Sequence, residues 1–353
     1  MFVSDPLIAT PGPTEIPPHR ILLAMARRTT NPDLDPEFFR HYDEARSMLA
    51  EILGTKSGNV IVWVGEAMSG LEAAVANLVG SGGDKVAVLS NGIFGDAFAD
   101  LLRAYGGVPI IHKVEYTKVL DPDKVTSFLR NEARDARVVT MVHCETPSGT
   151  LNDLREMARA VKSEGKLLIV DAVSSIGGVE INVGWGGVDI LIGGSQKVLN
   201  LPSGLTILAV SDEAWETMKR TNYKGGFYLN IRLWRDVVEK MEFPYTHSEP
   251  LINGLLESLK MIHEEGGLDN VYRRHRAVAR GGVVRAVEAV NLRLIPELEV
   301  FASPTVTAFY IPNGLSDVKV IETARRYGVF IAGSWGPLKG RVLRIGTWDI
   351  RHP

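Results

Sequence analysis

A lysine and a carboxylate, Lys197 and Asp171, each follow an apolar run that reads as a buried β-strand. LLIVD at 167–171 ends in Asp171, and VDILIGG at 188–194 delivers Ser195, Gln196 and Lys197. An ammonium group resists leaving water. A lysine just past a buried strand is therefore either a partly exposed surface residue, the usual fate of a lysine taken alone, or an amine kept there for its chemistry. In the second case Lys197 is a desolvated amine that forms a Schiff base, and Asp171 holds a cationic ring nitrogen. The pair favours the second case, because ligands of open parallel sheets bind at the C-terminal ends of the strands.

The elements that must position this pair begin at Asn59 with a strand–helix rhythm. NVIVWVG, KVAVLS, VPIIHKV, RVVTMVH and LLIVD read as strands. SGLEAAVANLVG, GIFGDAFADLLRAYG, DPDKVTSFLRNEA and LNDLREMARAVKSEG read as the helices between them. Such alternation implies right-handed crossovers and a mainly parallel sheet covered by helices on both faces. The fold class expected is therefore α/β, a large domain with a mainly parallel sheet between helices plus a smaller C-terminal α+β domain. Residues 1–18, ending in TPGPTEIPP, are too proline-rich for helix interior or central strand, and form an N-terminal arm. That arm either lies over the surface or closes a cleft with backbone groups from Thr10 to Gly12. From about 20 to 56 the pattern looks helical and stops at Gly54, a plausible C-cap. The large domain is expected over 19–250 and the small one over 251–353, with strands at 305–311 and 341–346.

Composition narrows the class. The 353 residues are 45% hydrophobic, enough for a substantial core, and the net charge of −3 lacks the basic field of a nucleic-acid binder. RRHR at 273–276 is the main basic run and reads as a solvated helix face. A single cysteine, Cys144, excludes an intrachain disulfide framework. No N-terminal signal pattern and no membrane-length apolar run appears, so a soluble cytoplasmic protein is expected, with no membrane association and no metal site.

PGPTEIPP near the start, NGIFG at 91–95, ETPSG at 145–149, VDAVSSIGG at 170–178, GSQKVLNLPSG at 194–204 and VLRIG at 342–346 follow one another in a family's order. Together they resemble the class V aminotransferases that use pyridoxal 5'-phosphate, especially the alanine–glyoxylate and serine–pyruvate group. The resemblance covers nearly the whole chain. It implies the fold type I architecture, a homodimer with shared active sites, and small amino-acid and keto-acid substrates.

By that resemblance Lys197 is the Schiff-base lysine and Asp171 the partner of the protonated pyridine nitrogen, which makes the ring an electron sink. Val173 would pack on one ring face and Phe94 on the other, where many relatives carry tryptophan. Thr146 and Gln196 correspond to the polar partners of the phenolic oxygen and phosphate side; Thr146 could equally cap the helix that begins near Asn152. GEAMSG at 65–70 stands where relatives carry a small-residue phosphate loop, so Glu66, Ala67 and Met68 are its cofactor-binding positions. It departs from the family's Ser/Gly/Thr-rich set, and Glu66 must turn away from the phosphate or be neutralised. Tyr245 and Ser248, in PYTHSEP, match residues that reach the phosphate of the neighbouring subunit. Arg344 matches the arginine that receives the substrate carboxylate, for which its planar fork is suited. Relatives usually continue beyond the equivalent of Pro353 through a C-terminal helix.

The reaction implied is amino transfer from alanine or serine to glyoxylate or pyruvate. An aminophosphonate–pyruvate transaminase is the nearest rival, and Arg20, Arg27 or Arg28 could fold over the cleft to take a second carboxylate. A lyase of the cysteine desulfurase type is more distant, since those enzymes usually carry His where Gln196 stands and a mobile catalytic cysteine. A dinucleotide-binding dehydrogenase is excluded because no GxGxxG follows the first strand.

Overall fold

The computed structural model describes residues 6–13, 19–27, 31–79, 82–223 and 225–348. Residues 14–18 of the expected arm, Arg28 and residues 349–353 lie outside them. The chain opens with β1 (Leu7–Ile8), followed by α1 (His19–Met25) and α2 (Pro36–Leu53). The stretch expected to be helical from 20 to 56 is thus divided. Asp35 starts a new helix by accepting from Glu37 N at 2.8 Å, with Pro36 in the first turn where its missing N–H costs nothing. Gly54 ends that helix in the left-handed region at φ 62°, the conformation a C-cap glycine supplies.

The strand–helix rhythm then runs through β2 (Val60–Val64), α3 (Ala67–Leu78), β3 (Lys85–Ser90), α4 (Ile93–Ala104), β4 (Val108–Lys113), α5 (Pro122–Asn131) and β5 (Val138–Val142). A small hairpin, β6 (Cys144–Glu145) with β7 (Thr150–Leu151), precedes α6 (Leu154–Ser163), β8 (Leu167–Asp171), β9 (Ile190–Gly194) and β10 (Leu205–Val210). Seven strands form one sheet in the order β2-β10-β9-β8-β5-β3-β4. β4, β3, β5, β8 and β9 are parallel, joined by helical crossovers except between β8 and β9, where the connection is a long loop with one short 3-10 turn. β10 runs antiparallel to both its neighbours, β9 and β2. The physical reason is length: a parallel return needs a crossover of about a dozen residues or more, and the segment from Ser195 to Gly204 is shorter. Lys197 therefore sits in a tight return rather than at the start of a crossover helix.

Every residue of β5, β8 and β9 is buried, which is why these strands read as continuous apolar runs instead of alternating ones. Side chains such as Ile169, Val170, Leu191 and Ile192 each contribute roughly 1.5–3 kcal/mol on leaving water, and this holds the two functional strand ends rigidly side by side.

After α7 (Asp212–Arg220) and α8 (Val237–Lys240), α9 (Glu249–Glu264) packs on α1 and α2 and adds Ile252, Leu255 and Leu259 to the same core. β11 (Val306–Tyr310), β12 (Val329–Phe330), β13 (Ala332–Gly333) and β14 (Val342–Gly346) follow. Of these, β11, β14 and β13 make a three-stranded antiparallel sheet, while β12 pairs in parallel with β1. Gly346 N donates to Ala9 O at 2.9 Å, so the N-terminal segment is sewn to the small sheet and led toward the large one. No described helix is long and apolar enough to cross a membrane.

Candidate active site

The loops leaving the C-terminal ends of β2, β3, β5, β8 and β9 converge on a cavity of about 320 Å³. Glu66, Ala67, Met68, Phe94, Thr146, Asp171, Val173, Gln196 and Lys197 line it, together with Gly12, Pro13, Ser174 and Trp335. A larger hollow of about 600 Å³ opens at the opposite, N-terminal ends of the strands and takes in none of the motif residues, so the chemistry belongs to the smaller cavity.

Lys197 Nζ donates to the carbonyl oxygen of Pro11 at 2.9 Å and lies 4.7 Å from the Trp348 ring centroid. Burial, with the Arg344 guanidinium nearby as a smaller cause, pushes the amine down to about 8. The arm comes so close that a Cβ at Gly12, whose φ is +93°, would sit 2.7 Å from Lys197 Cδ and 2.8 Å from Nζ. Only glycine allows that approach. On the other side Asn200, at φ 56°, donates to Trp348 O at 2.9 Å and fixes the lysine's turn to the end of the small sheet.

Asp171 closes β8 and accepts from Val173 N at 2.9 Å. Burial pushes its carboxyl up to about 6, against the pull of that hydrogen bond and of Lys197. Val173 and Phe94 line the cavity, and Phe94 meets the Trp335 ring edge-on at 5.9 Å. The backbone of Phe94 is held by Glu145, fully buried, whose carboxyl group accepts from Phe94 N at 3.2 Å and Gly95 N at 2.6 Å at the start of α4. Burial pushes Glu145 up to about 8. Thr146 does not cap α6, a role taken by Asp153, which accepts from Glu156 N at 3.0 Å. The Thr146 hydroxyl instead meets the Ser174 hydroxyl beside the cavity.

The α3 end of the cavity is anionic. Glu66 does not turn away: it caps α3, accepting from Met68 N at 2.9 Å and from Gln196 Nε2 at 2.6 Å. Ser69, the one hydroxyl of the loop, faces inward and shares a 2.9 Å hydrogen bond with Thr206.

Arg344 is buried behind the cavity wall. Its Nε donates to Gly333 O at 2.7 Å, and its guanidinium lies 5.0 Å from the Trp335 ring centroid. Nη1 points to Thr146 O at 3.4 Å. Among the described residues no carboxylate pairs with Arg344, and burial pushes it down to about 10. Trp335 lies in no recognised motif, whereas the Pro11 carbonyl falls among the Thr10–Gly12 backbone groups expected to close the cleft.

Four expected site positions stand apart from the lining. Tyr245 stacks on Tyr228 at 4.1 Å and donates to Tyr228 O at 3.3 Å. Ser248 stands at the start of α9. The Thr10 hydroxyl points to Pro13 O at 3.5 Å, so the arm meets the cavity through Gly12 and Pro13. Arg344 is the fourth. Arg20 pairs with Glu257 and Glu264, and Arg27 reaches Glu257, so neither folds over the cleft. Cys144 is buried, with Sγ 3.9 Å from the Thr305 hydroxyl.

A family model described as aminotransferase class-V matches residues 22–329. The chain belongs to the class-V aminotransferases. This aminotransferase is 34% identical to an uncharacterised aminotransferase of Methanocaldococcus jannaschii, over 98% of its own length and 88% of the relative's. It is also 34% identical to the pyridoxamine–pyruvate transaminase of Mesorhizobium japonicum, over 97% and 86% of the two chains. The crystal structure of alanine–glyoxylate aminotransferase from Nostoc superimposes with a TM-score of 0.91 at 28% identity, covering 99% and 92%. The family's cofactor is pyridoxal phosphate. The ring end of the cavity fits it: a desolvated amine, a buried carboxyl group and two apolar faces surround one space. Lys197 would hold the aldehyde carbon, Asp171 the ring nitrogen, and Val173 and Phe94 the faces.

Proposed function

We propose that this aminotransferase moves an amino group from alanine or serine to glyoxylate or pyruvate, as a cytoplasmic homodimer whose subunits share their sites. The observation that carries the substrate class is Arg344, a buried guanidinium without an acidic partner among the described residues, set against Trp335 and Thr146 at the cavity wall. Lys197 is the sole cation among the described residues that line the cavity, and Arg20 and Arg27 are engaged elsewhere. Among the described residues one carboxylate is therefore provided for and a second carboxylate or a phosphonate is not, which favours small monocarboxylic partners over dicarboxylic donors and over the aminophosphonate reading. The desulfurase reading lacks support as well, since Cys144 is buried and burial pushes its thiol up to about 11.

When bound, pyridoxal phosphate supplies an aldehyde that links amines and a ring that delocalises negative charge. The chain does the rest. Lys197, partly neutral near pH 8, is both nucleophile and proton carrier. Asp171 would keep a proton on the ring nitrogen, and Arg344, whose Nε is committed to Gly333 O, would orient the substrate carboxylate through its remaining guanidinium donors. Phe94 and Trp335, in edge-on contact at 5.9 Å, supply apolar walls to the cavity.

The shared-site dimer is supported by Tyr245 and Ser248, which lie off their own cavity. A partly exposed aromatic face at Phe227 and Tyr228, beside the Tyr245 stack, gives a second subunit something to cover. The single cysteine, buried as a free thiol, suits a reducing compartment.

A half-reaction screen tests the reading. Each candidate donor is added alone to cofactor-loaded protein and the visible spectrum is followed. Fast change with alanine or serine supports the reading; change only with glutamate, aspartate or an aminophosphonate refutes it. Sedimentation showing a fully active monomer would refute the shared site.

A further inference from the structure

The two donors best placed to receive an anion at the α3 end of the cavity are already held by one side chain. Glu66 takes Met68 N at 2.9 Å through one carboxylate oxygen and Gln196 Nε2 at 2.6 Å through the other. A carboxylate at a helix N-terminus satisfies unpaired amides and the helix dipole, which is the same service a phosphate ester would render there. The rest of the loop offers no replacement. Ser69 is turned inward to Thr206, and Ala67 and Met68 bring only apolar side chains to the cavity. A phosphate arriving at this point must displace the carboxylate from both donors and then lie beside it, two anions at close quarters.

We propose that Glu66 makes this pocket accept the phosphate-free vitamers, pyridoxal and pyridoxamine, at least as readily as the phosphorylated ones. The phosphate-free ring carries a neutral hydroxymethyl group in place of the phosphate ester. That group donates a hydrogen bond to Glu66 and leaves the α3 cap undisturbed. Glu66 is thus a specificity-determining residue that reads the ring substituent, while Lys197 and Asp171 read the ring itself. This rests on the cofactor ring lying between Lys197 and Asp171.

The test uses pyridoxamine and pyridoxamine 5'-phosphate, which lack the aldehyde and so bind without a covalent step. Each is titrated by calorimetry into cofactor-free wild-type protein, Glu66→Ser and Glu66→Gln, with circular dichroism confirming that each variant is folded. In the wild type the phosphate-free ligand binds as tightly as the phosphorylated one, within a factor of ten, or more tightly. Both variants shift the ratio toward the phosphorylated ligand, roughly ten- to a hundredfold. Should Glu66→Ser fail to fold, the near-isosteric Glu66→Gln carries the comparison alone. A wild-type preference for the phosphate of more than tenfold, or a ratio unmoved by the substitutions, overturns the inference. If neither ligand binds the wild type, the cofactor reading fails instead, and the two failures are told apart.

Discussion

Asp171 and Lys197 stand at the ends of adjacent parallel strands whose register pairs Asp171 with Ile192, so the turn that carries the lysine starts just beyond the carboxyl group. Burial acts on the two in opposite senses, raising Asp171 to about 6 and lowering Lys197 to about 8. Each is thereby brought closer to its neutral form at ordinary pH.

A consequence concerns the rate at which cofactor-free protein captures the aldehyde, which needs the neutral amine. Because Lys197 titrates near 8, that rate should climb with pH to about 8 and then level off. Stopped-flow measurement between pH 6 and 10 checks it. A rate that keeps rising to pH 10 would mean an ordinary, solvated lysine.

Arg344→Ala removes a fork whose charge-assisted hydrogen bonds contribute roughly 1.5–3 kcal/mol each. Efficiency with alanine or serine should fall by about a hundredfold or more, mostly through KM, while cofactor binding is retained. Steady-state kinetics beside a cofactor titration separate the two. Equal loss of both would place Arg344 in the scaffold rather than at the substrate.

How far the sequence discloses this arrangement depends on burial. β5, β8 and β9 are buried throughout, so apolar runs mark them, and their polar C-terminal successors stand out as chemistry. Asp35, Asp153 and Gly54 cap helices through local contacts that a linear pattern contains, and the break within 20–56 coincides with Pro32 and Pro36, which the helical reading of that stretch passes over. The antiparallel course of β10 follows from the length of a single connection, which is visible but easily passed over. Contacts between distant segments leave no such mark. Trp335 reaches the cavity from a loop without a motif, and although the Thr10–Gly12 backbone is expected at the cleft, nothing in the residues marks the Pro11 carbonyl as the partner of Lys197. Glu66 is the instructive case. Its type announced a departure, but only the geometry shows it engaging Met68 and Gln196 together.

Glu145 ties stability to pH. Its folded value is raised to about 8 from an ordinary 4.5, so the folded state holds a proton the unfolded chain releases. The stabilising contribution is complete below about 4.5 and is lost as pH rises through 8. Glu145→Gln should cost about 1–3 kcal/mol at pH 5, because the carboxamide has one accepting oxygen and its NH2 leaves the second α4 amide without an acceptor. It should also flatten the fall in Tm between pH 5 and 8.5. Thermal melts across that range decide, and parallel slopes for wild type and variant would contradict a protonated Glu145.

The central claim is that the lysine in the return after β9 is the residue that holds the cofactor. Protein loaded with pyridoxal phosphate is reduced with borohydride, digested and mapped by mass spectrometry, beside Lys197→Ala treated identically. The expected result is a visible band that disappears on reduction, a single pyridoxyl adduct on Lys197, and neither in the variant. A folded Lys197→Ala protein that keeps the band, or an adduct on another lysine, would contradict it.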